Sequence, residues 1–301
     1  MNDSHETQLI SKWDRQDWRA SIFAPGVSII QAITTSGRTA SGLGYTREEA
    51  LARCLSETAE RLAVSDLQGQ DARQNSDPTQ EFDPLDGVSA HPDPALAHRH
   101  AYYETLERSV ISRWWEGALE AHSIPDAWVQ SLGLSTRIEQ SRAMASVKRS
   151  TRFWRVDTDT PVHVVICMSC YPTGQDPILG FGASDRLGDA IDKAFRENLL
   201  MEINLMEVLA TRSGHSRLDM SRVEAKIAMY VARCPERLPE RNAPNSVMED
   251  KAPGPVDAVQ HPPEGFRFVE IGPEWMARDV WLCRWENGET YQPKGAGSPF
   301  I

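Results

Sequence analysis

The chain has 301 residues, 40% of them apolar, with 43 Asp and Glu set against 32 Lys and Arg. A chain of this size hides roughly three quarters of its unfolded surface on folding, so a core can form without disulfide or metal staples. The formal charge of −11, with no basic run, excludes a general nucleic-acid binder, and the longest apolar stretch, Pro161 to Tyr171, falls far short of the ~20 residues of a membrane span.

Met1 to Gln8 is polar and acidic, unlike a secretory signal, and five cysteines scattered at 54, 167, 170, 234 and 283 suit a reducing compartment. A soluble, cytoplasmic protein is expected. Residues 1–26 read as a lead-in segment ending in the Pro25-Gly26 turn, and Val27 to Thr35, rich in β-branched residues, reads as a strand. A loop with Gly37, Gly42 and Gly44 then leads to Thr46-Arg47-Glu48-Glu49, a capping box in which Glu49 returns to the Thr46 amide. Ala50, Leu51, Cys54, Leu55, Leu62 and Ala63 recur at helical spacing and predict a helix over Arg47 to Ser65. Residues 66–94 are polar, with few apolar anchors, and read as a surface insertion.

Asp93-Pro94 can open a second helix, through Leu106, Ile111 and Trp114 to about His122. Two β-rich runs between Arg152 and Tyr171 flank a polar turn at Asp157 to Pro161 and predict a hairpin. Gly180-Phe181-Gly182 leads to Asp185, the expected N-cap of a third helix over Arg186 to Thr211. Pro and Gly are dense over 235–265, which reads as a loop, and Phe266 to Ile271 and Val280 to Trp285 read as closing strands. The expectation is an α/β fold: a single domain over 27–301 of mixed sheets and long motif-bearing helices.

One internal echo carries chemistry. Glu57-Thr58-Ala59-Glu60-Arg61 and Glu104-Thr105-Leu106-Glu107-Arg108 differ only at the central residue and both lie in predicted helices. At about 100° per residue the two Glu and the Arg of each pentad share one narrow face. Such a pentad is commonly just a solvated helix face, but two of them could meet. Four converging carboxylates repel unless neutralised, and a hard cation such as Mg2+, completed by phosphate oxygens, is the usual remedy. The two arginines would then suit phosphate by their fork geometry.

These residues also carry a resemblance. Gly42-Leu43-Gly44-Tyr45-Thr46-Arg47-Glu48-Glu49-Ala50 with the first pentad resembles the first motif of YcaO proteins. His100 to Arg108 followed by Trp114-Trp115 resembles the second motif, and Gly180 to Ala183 with Ala190, Ala194 and Glu197 the third. The resemblance runs from about Val27 to Met206. It implies ATP-dependent activation of a peptide backbone amide: a nucleophile adds to the carbonyl, the oxyanion is phosphorylated, and phosphate leaves. Carried over, Glu57, Glu60, Glu104, Glu107 and Glu197 would bind Mg2+, and Arg61, Arg108 and Arg284 would contact ATP. The resemblance implies a ribosomally made precursor peptide as substrate, a partner protein that binds its leader, and a homodimer. Azoline formation from Cys, Ser or Thr is the first expectation and thioamide or amidine formation the second. Arg53, Pro92, Leu96 and Leu200 depart from the usual pattern, which keeps open a non-catalytic peptide-binding or complex-stabilising subunit.

Other motifs carry less. Leu43 and Gly44 stand where a P-loop needs Lys and Ser or Thr. Cys167 and Cys170 have zinc-ribbon spacing but lie in an apolar strand-like run, where they read as buried thiols. His98 is expected on the surface, His100 near the second pentad, and the tryptophans 114, 115 and 285 in the core.

Overall fold

A computed structural model describes residues 3–74, 82–240, 264–273, 275–276, 278–286 and 298–300. In chain order the elements are α1 (Asp3–Ile10), β1 (Trp13–Arg19), β2 (Ser28–Thr34), β3 (Thr39–Gly44), α2 (Arg47–Gln74), β4 (Gly87–His91), α3 (Pro94–Glu116), β5 (Ala121–Ser123), α4 (Asp126–Ser131), α5 (Leu134–Arg142), β6 (Ser150–Val156), β7 (His163–Cys170), β8 (Ile178–Ser184), α6 (Leu187–Arg212), α7 (Ser221–Arg237), β9 (Phe266–Glu270) and β10 (Asp279–Trp285). This is an α/β fold whose strands form three antiparallel sheets, in the orders β1-β2-β3, β4-β10-β9 and β5-β6-β7-β8. The chain divides into two compact units.

The first unit comprises Met1–Arg19, Ser28–Arg108 and Pro255–Tyr291. Its small and β-branched residues set the packing. Ile30, Ala32 and Ala40 of the β2–β3 hairpin meet Ala50 and Cys54 of α2, while Leu55, Ala59 and Leu62 on the same helix pack against Val88, Ala90, Val280 and Leu282 of the second sheet. Trp13 packs against both clusters and donates Nε1 to Thr58 Oγ1 at 2.9 Å. Strand β1 pairs with β2, placing Trp18 opposite Ile30, so the lead-in contributes a strand to the first sheet.

The second unit comprises Ala20–Val27, Ser109–Gly254 and Gln292–Ile301. All eight residues of β7 and all seven of β8 are buried, which is why they read as continuous apolar runs rather than alternating ones. Trp114 and Trp115, at the end of α3, are fully buried; Trp115 meets Tyr230 of α7 edge-on at 6.0 Å and lies under Arg233 at 4.5 Å. The Tyr230 hydroxyl donates to the Pro299 carbonyl at 2.7 Å, and Phe300 meets Phe181 edge-on.

Several expectations need correction. Helix α3 stops at Glu116, because Gly117 adopts φ 88°, and His122 belongs to β5. Asp185 is not the N-cap of α6; that position is Arg186, without a side-chain cap bond. The reciprocal capping bond of Glu49 reaches the Tyr45 amide at 2.9 Å, one residue before the expected one. Gly42 and Gly44 lie in β3, not in a loop. His98 is buried, stacked on Phe268 at 3.6 Å, because the second sheet covers that face of α3. Trp285 is 37% exposed, because it stacks on Phe266 of β9, the outer strand of its sheet. The region 66–94 contains the end of α2 and all of β4, and 235–265 includes the end of α7; residues 75–81 and 241–263 lie outside the described residues.

Candidate active site

Three strand–turn–helix pairs share one plan: β3–α2, β4–α3 and β8–α6. Each strand lies at an edge of its sheet. Small residues let each helix lie directly on its strand. A Cβ on Gly87 would stand 2.1 Å from the Ala101 carbonyl oxygen, one on Gly180 2.2 Å from the Asn198 amide nitrogen, and one on Gly42 1.9 Å from the Ala50 oxygen. This close approach, rather than a phosphate cradle, explains the glycines of the first motif.

The approach brings one glutamate of each helix level with the strand's open edge. Glu57 accepts from the Ser41 amide at 2.8 Å, Glu104 from Val88 at 2.9 Å and Glu197 from Phe181 at 3.2 Å, and in every case donor and acceptor are 16 residues apart. Each glutamate also lies ten residues after the first residue of its helix, Arg47, Pro94 or Leu187. Edge amides left bare invite pairing with another chain, so these carboxylates first of all close the edges.

In the first unit the two pentads are joined through β4. The Val88 amide holds Glu104 of α3, and the Ala90 amide, two residues on and pointing the same way, holds Glu60 of α2 at 2.9 Å. Burial, followed by the charges of Glu104 and Glu57, pushes the Glu60 carboxyl well above its ordinary 4.5. The expected meeting of the two pentads is therefore present. The remaining oxygens are paired: Glu57 Oε1 with Arg61 at 2.9 Å and Glu104 Oε1 with Arg108 at 2.5 Å. Arg108 also donates to the Pro84 and Asp86 carbonyls, at 3.0 and 2.8 Å. Glu107 is buried on α3. Arg284 of β10 grips the buried carboxylate of Asp86, Nε to Oδ1 at 3.0 Å and Nη2 to Oδ2 at 2.6 Å.

Glu197 belongs to the second unit, where the positions matching Glu60 and Arg61 hold Leu200 and Met201. One turn on, Glu202 is fully buried. Its Oε1 accepts from Ser169 Oγ at 2.6 Å, Arg149 Nε at 2.9 Å and Arg142 Nη2 at 3.0 Å. The edge amides of Ser41, Val88 and Phe181, the Asp86 partner of Arg284 and the Glu202 cluster were not foreseen. The 16-residue spacing from a strand residue to a helix glutamate, repeated three times, is the signal that would have found the first of these.

Carboxylate oxygens are the hard donors Mg2+ prefers, and Mg2+ ordinarily takes only one or two of them, completing its shell with water and phosphate oxygens. Among the described residues no group of three or more His, Cys, Asp or Glu could hold a metal alone. The carboxylates about Glu60, whose mutual repulsion a cation would relieve, match that donor chemistry. The five cysteines are free and buried, so they read as packing residues. No described helix is long and apolar enough to cross a membrane.

A profile of the YcaO family, described as a cyclodehydratase binding ATP and Mg2+, matches residues 81–253. That span includes Glu104, Glu107, Arg108 and Glu197 and begins after the α2 pentad. No curated protein matches the sequence. Among solved structures, the chain is similar to YcaO from Methanopyrus kandleri bound with AMPPCP and Mg2+, with 15% identity, TM-score 0.63, and coverage of 96% of this chain and 89% of that one. It is also similar to a heterocyclase in complex with substrate and cofactor, at 14% identity and TM-score 0.58, covering 93% of this chain and 51% of that one. The E. coli microcin synthetase McbBCD complex with pro-MccB17 bound matches at 13% identity and TM-score 0.58, covering 92% of this chain and 88% of that one. At such identities the likeness is one of fold. ATP and Mg2+ are the cofactors of the matched family. The profile spans more than half of the chain, and the protein belongs to the YcaO family.

Proposed function

We propose that this protein uses ATP and Mg2+ to phosphorylate a backbone amide of a ribosomally synthesised precursor peptide, closing Cys, Ser or Thr onto the preceding carbonyl to give thiazoline or oxazoline. The observation that carries the reading is the edge of β4, whose Val88 and Ala90 amides hold Glu104 and Glu60 from two different helices. Supporting it are the family's cyclodehydratase description and the fold shared with a heterocyclase in complex with substrate and cofactor and with a microcin synthetase complex with pro-MccB17 bound.

In this reading Glu57, Glu60, Glu104 and Glu107 of the first unit hold Mg2+, Glu197 is a Mg2+ ligand of the second unit, and Arg61, Arg108 and Arg284 contact the nucleotide. Bound Mg2+ neutralises charge on the phosphates of ATP. The strand-edge amides fix one oxygen of Glu57, Glu104 and Glu197 in place before any ligand arrives, and such positioning is most of what phosphoryl transfer demands of a protein. The side chain of Cys, Ser or Thr adds to the amide carbon and loses its proton. The amide oxygen takes the γ-phosphoryl group and departs as phosphate while the amide nitrogen gives up its proton, leaving the C=N bond of the ring and ADP. Residues 27–301 act as the catalytic domain, in the cytoplasm and as a homodimer, with a partner protein presenting the leader of the peptide.

A second reading, a non-catalytic peptide-binding subunit, is favoured by Leu200 and Met201, which give α6 neither the second carboxylate nor the arginine of α2 and α3. The test combines the protein, a precursor peptide, the partner and Mg2+·ATP, with mass spectrometry and phosphate release as readouts. Loss of one water per phosphate released supports azoline formation, and replacement of oxygen by sulfur with added sulfide identifies a thioamide. Nucleotide binding without any change to peptide favours the subunit reading.

A further inference from the structure

Arg108 of α3 and Arg284 of β10 lie far apart in the sequence, yet one turn of the first unit, Asp83-Pro84-Leu85-Asp86, holds them both. The turn is closed on itself. The Asp86 amide donates to the Asp83 carbonyl at 2.9 Å, the Asp83 amide to Asp86 Oδ2 at 2.9 Å and the Leu85 amide to Asp83 Oδ1 at 2.8 Å. Pro84 stands at the second position, where its fixed φ favours a turn.

Asp86 engages the two arginines in different ways. Its carbonyl accepts from Arg108 Nη1 at 2.8 Å, and its carboxylate takes Arg284 side-on, Nε to Oδ1 at 3.0 Å and Nη2 to Oδ2 at 2.6 Å. Two residues further, the Val88 amide holds Glu104, the ion-pair partner of Arg108. The Asp86 side chain is 2% exposed, whereas those of Arg284 and Arg108 are 24% and 28% exposed. The anchor is thus buried and the two cations it holds reach the surface.

A carboxylate buried to this degree gives up its hydration, and a surface carboxylate could neutralise Arg284 without that cost. Gathering two like charges at one residue adds repulsion that a purely structural turn has no need to carry. What the buried anchor adds is orientation: a two-bond, side-on pair fixes the plane of a guanidinium as well as its charge. We infer that Asp86 is a positioning residue for nucleotide binding, orienting Arg284 toward the phosphate groups of ATP while the same turn holds Arg108. This rests on the proposed contact of Arg284 with the nucleotide. Cations fixed before the ligand arrives are what phosphoryl transfer draws on.

The test is calorimetric titration of Mg2+·AMPPNP, and separately of Mn2+ alone, into the wild type, Asp86→Asn, Arg284→Gln and the double variant, with near-UV circular dichroism to check the fold of each. Asn keeps the shape of Asp86 and its main-chain carbonyl, and removes the charge that grips Arg284. The expected result is nucleotide affinity about tenfold or more weaker in Asp86→Asn, Mn2+ affinity unchanged, and a double variant no worse than Arg284→Gln alone. Nucleotide affinity like the wild type in Asp86→Asn, with Arg284→Gln defective, overturns the role of Asp86 and leaves that of Arg284 standing; so do losses that add in full, since Asp86 would then act independently of Arg284. If Asp86→Asn does not fold, Arg284→Lys keeps the charge without the side-on pair, and wild-type nucleotide affinity there overturns the proposal. Absence of nucleotide binding in the wild type, or full binding in Arg284→Gln, removes the reading beneath it and the proposal as well.

Discussion

The β4–α3 pair and the β8–α6 pair share a backbone plan and differ in the chemistry mounted on it. Gly87 and Gly180 occupy the same position, meeting Ala101 and Thr105 in one pair and Ala194 and Asn198 in the other, and the tethered glutamate follows at the same spacing. Beyond that glutamate α3 continues with Glu107 and Arg108, whereas α6 continues with Leu200, Met201 and the buried Glu202. The lesson is that small residues at the strand–helix contact fix where a carboxylate is held. The residues three to five positions later decide whether the helix goes on with an acidic and a basic side chain or with apolar ones.

The sharpest way to break this comparison is at Glu202, whose partners Arg149 and Arg142 are 0% and 11% exposed at their side chains. Glu202→Leu leaves two guanidinium groups without their carboxylate, and unfolding free energy should fall by about 3–5 kcal/mol in urea titrations. A loss no larger than that of a surface substitution would mean that α6 does not depend on the cluster. Next is the shared contact itself. Gly180→Ala drives a Cβ against the Asn198 backbone, which cannot yield as a side-chain tip can, and should cost about 1–3 kcal/mol in the same assay. Its counterpart Gly87→Ala should cost a similar amount.

A smaller effect distinguishes the buried ionisable groups of the two units. The second unit pairs its buried Glu202 with Arg149, whereas in the first unit burial holds His98 below its ordinary 6.5. Folding therefore favours neutral His98: its stabilising contribution is complete above pH 6.5 and is lost as the pH falls from 6.5 through the lowered value. His98→Phe should flatten the decline in stability on that acid side, by at most about 1.4 kcal/mol per pH unit, and leave alkaline behaviour unchanged. His91, also lowered by burial, keeps part of the slope in the variant. An identical acid slope in wild type and variant would show that His98 titrates freely.

Much of this architecture is legible in the sequence where local signals are strong. The duplicated pentads, the β6–β7 hairpin and the Pro94 helix start announce themselves through spacing, turn chemistry and the fixed φ of proline. The tethers of Glu57, Glu104 and Glu197 are not legible in the same way. They depend on strand backbone amides, which any non-proline residue supplies, so Ser41, Val88 and Phe181 carry no mark in their side chains. His98 and Trp285 were misplaced for a related reason: whether each is buried depends on β9, a strand far along the chain from α3. Arg284 offered a charge without its partner, because Asp86 lies in a polar stretch 198 residues away. Helix α7 was not foreseen, although Ile227, Tyr230 and Cys234 recur on one buried face.

The central claim is that equivalent positions of three strand–helix pairs supply one kind of ligand. Its most direct test is calorimetry of Mg2+·AMPPNP binding to the wild type, Glu57→Ala, Glu104→Ala and Glu197→Ala, each checked for a native fold. The account predicts that the wild type binds only with Mg2+ present and that all three variants lose this metal-dependent binding. A variant that binds like the wild type would show its carboxylate to be an edge cap alone, and failure of the wild type to bind would contradict the account as a whole.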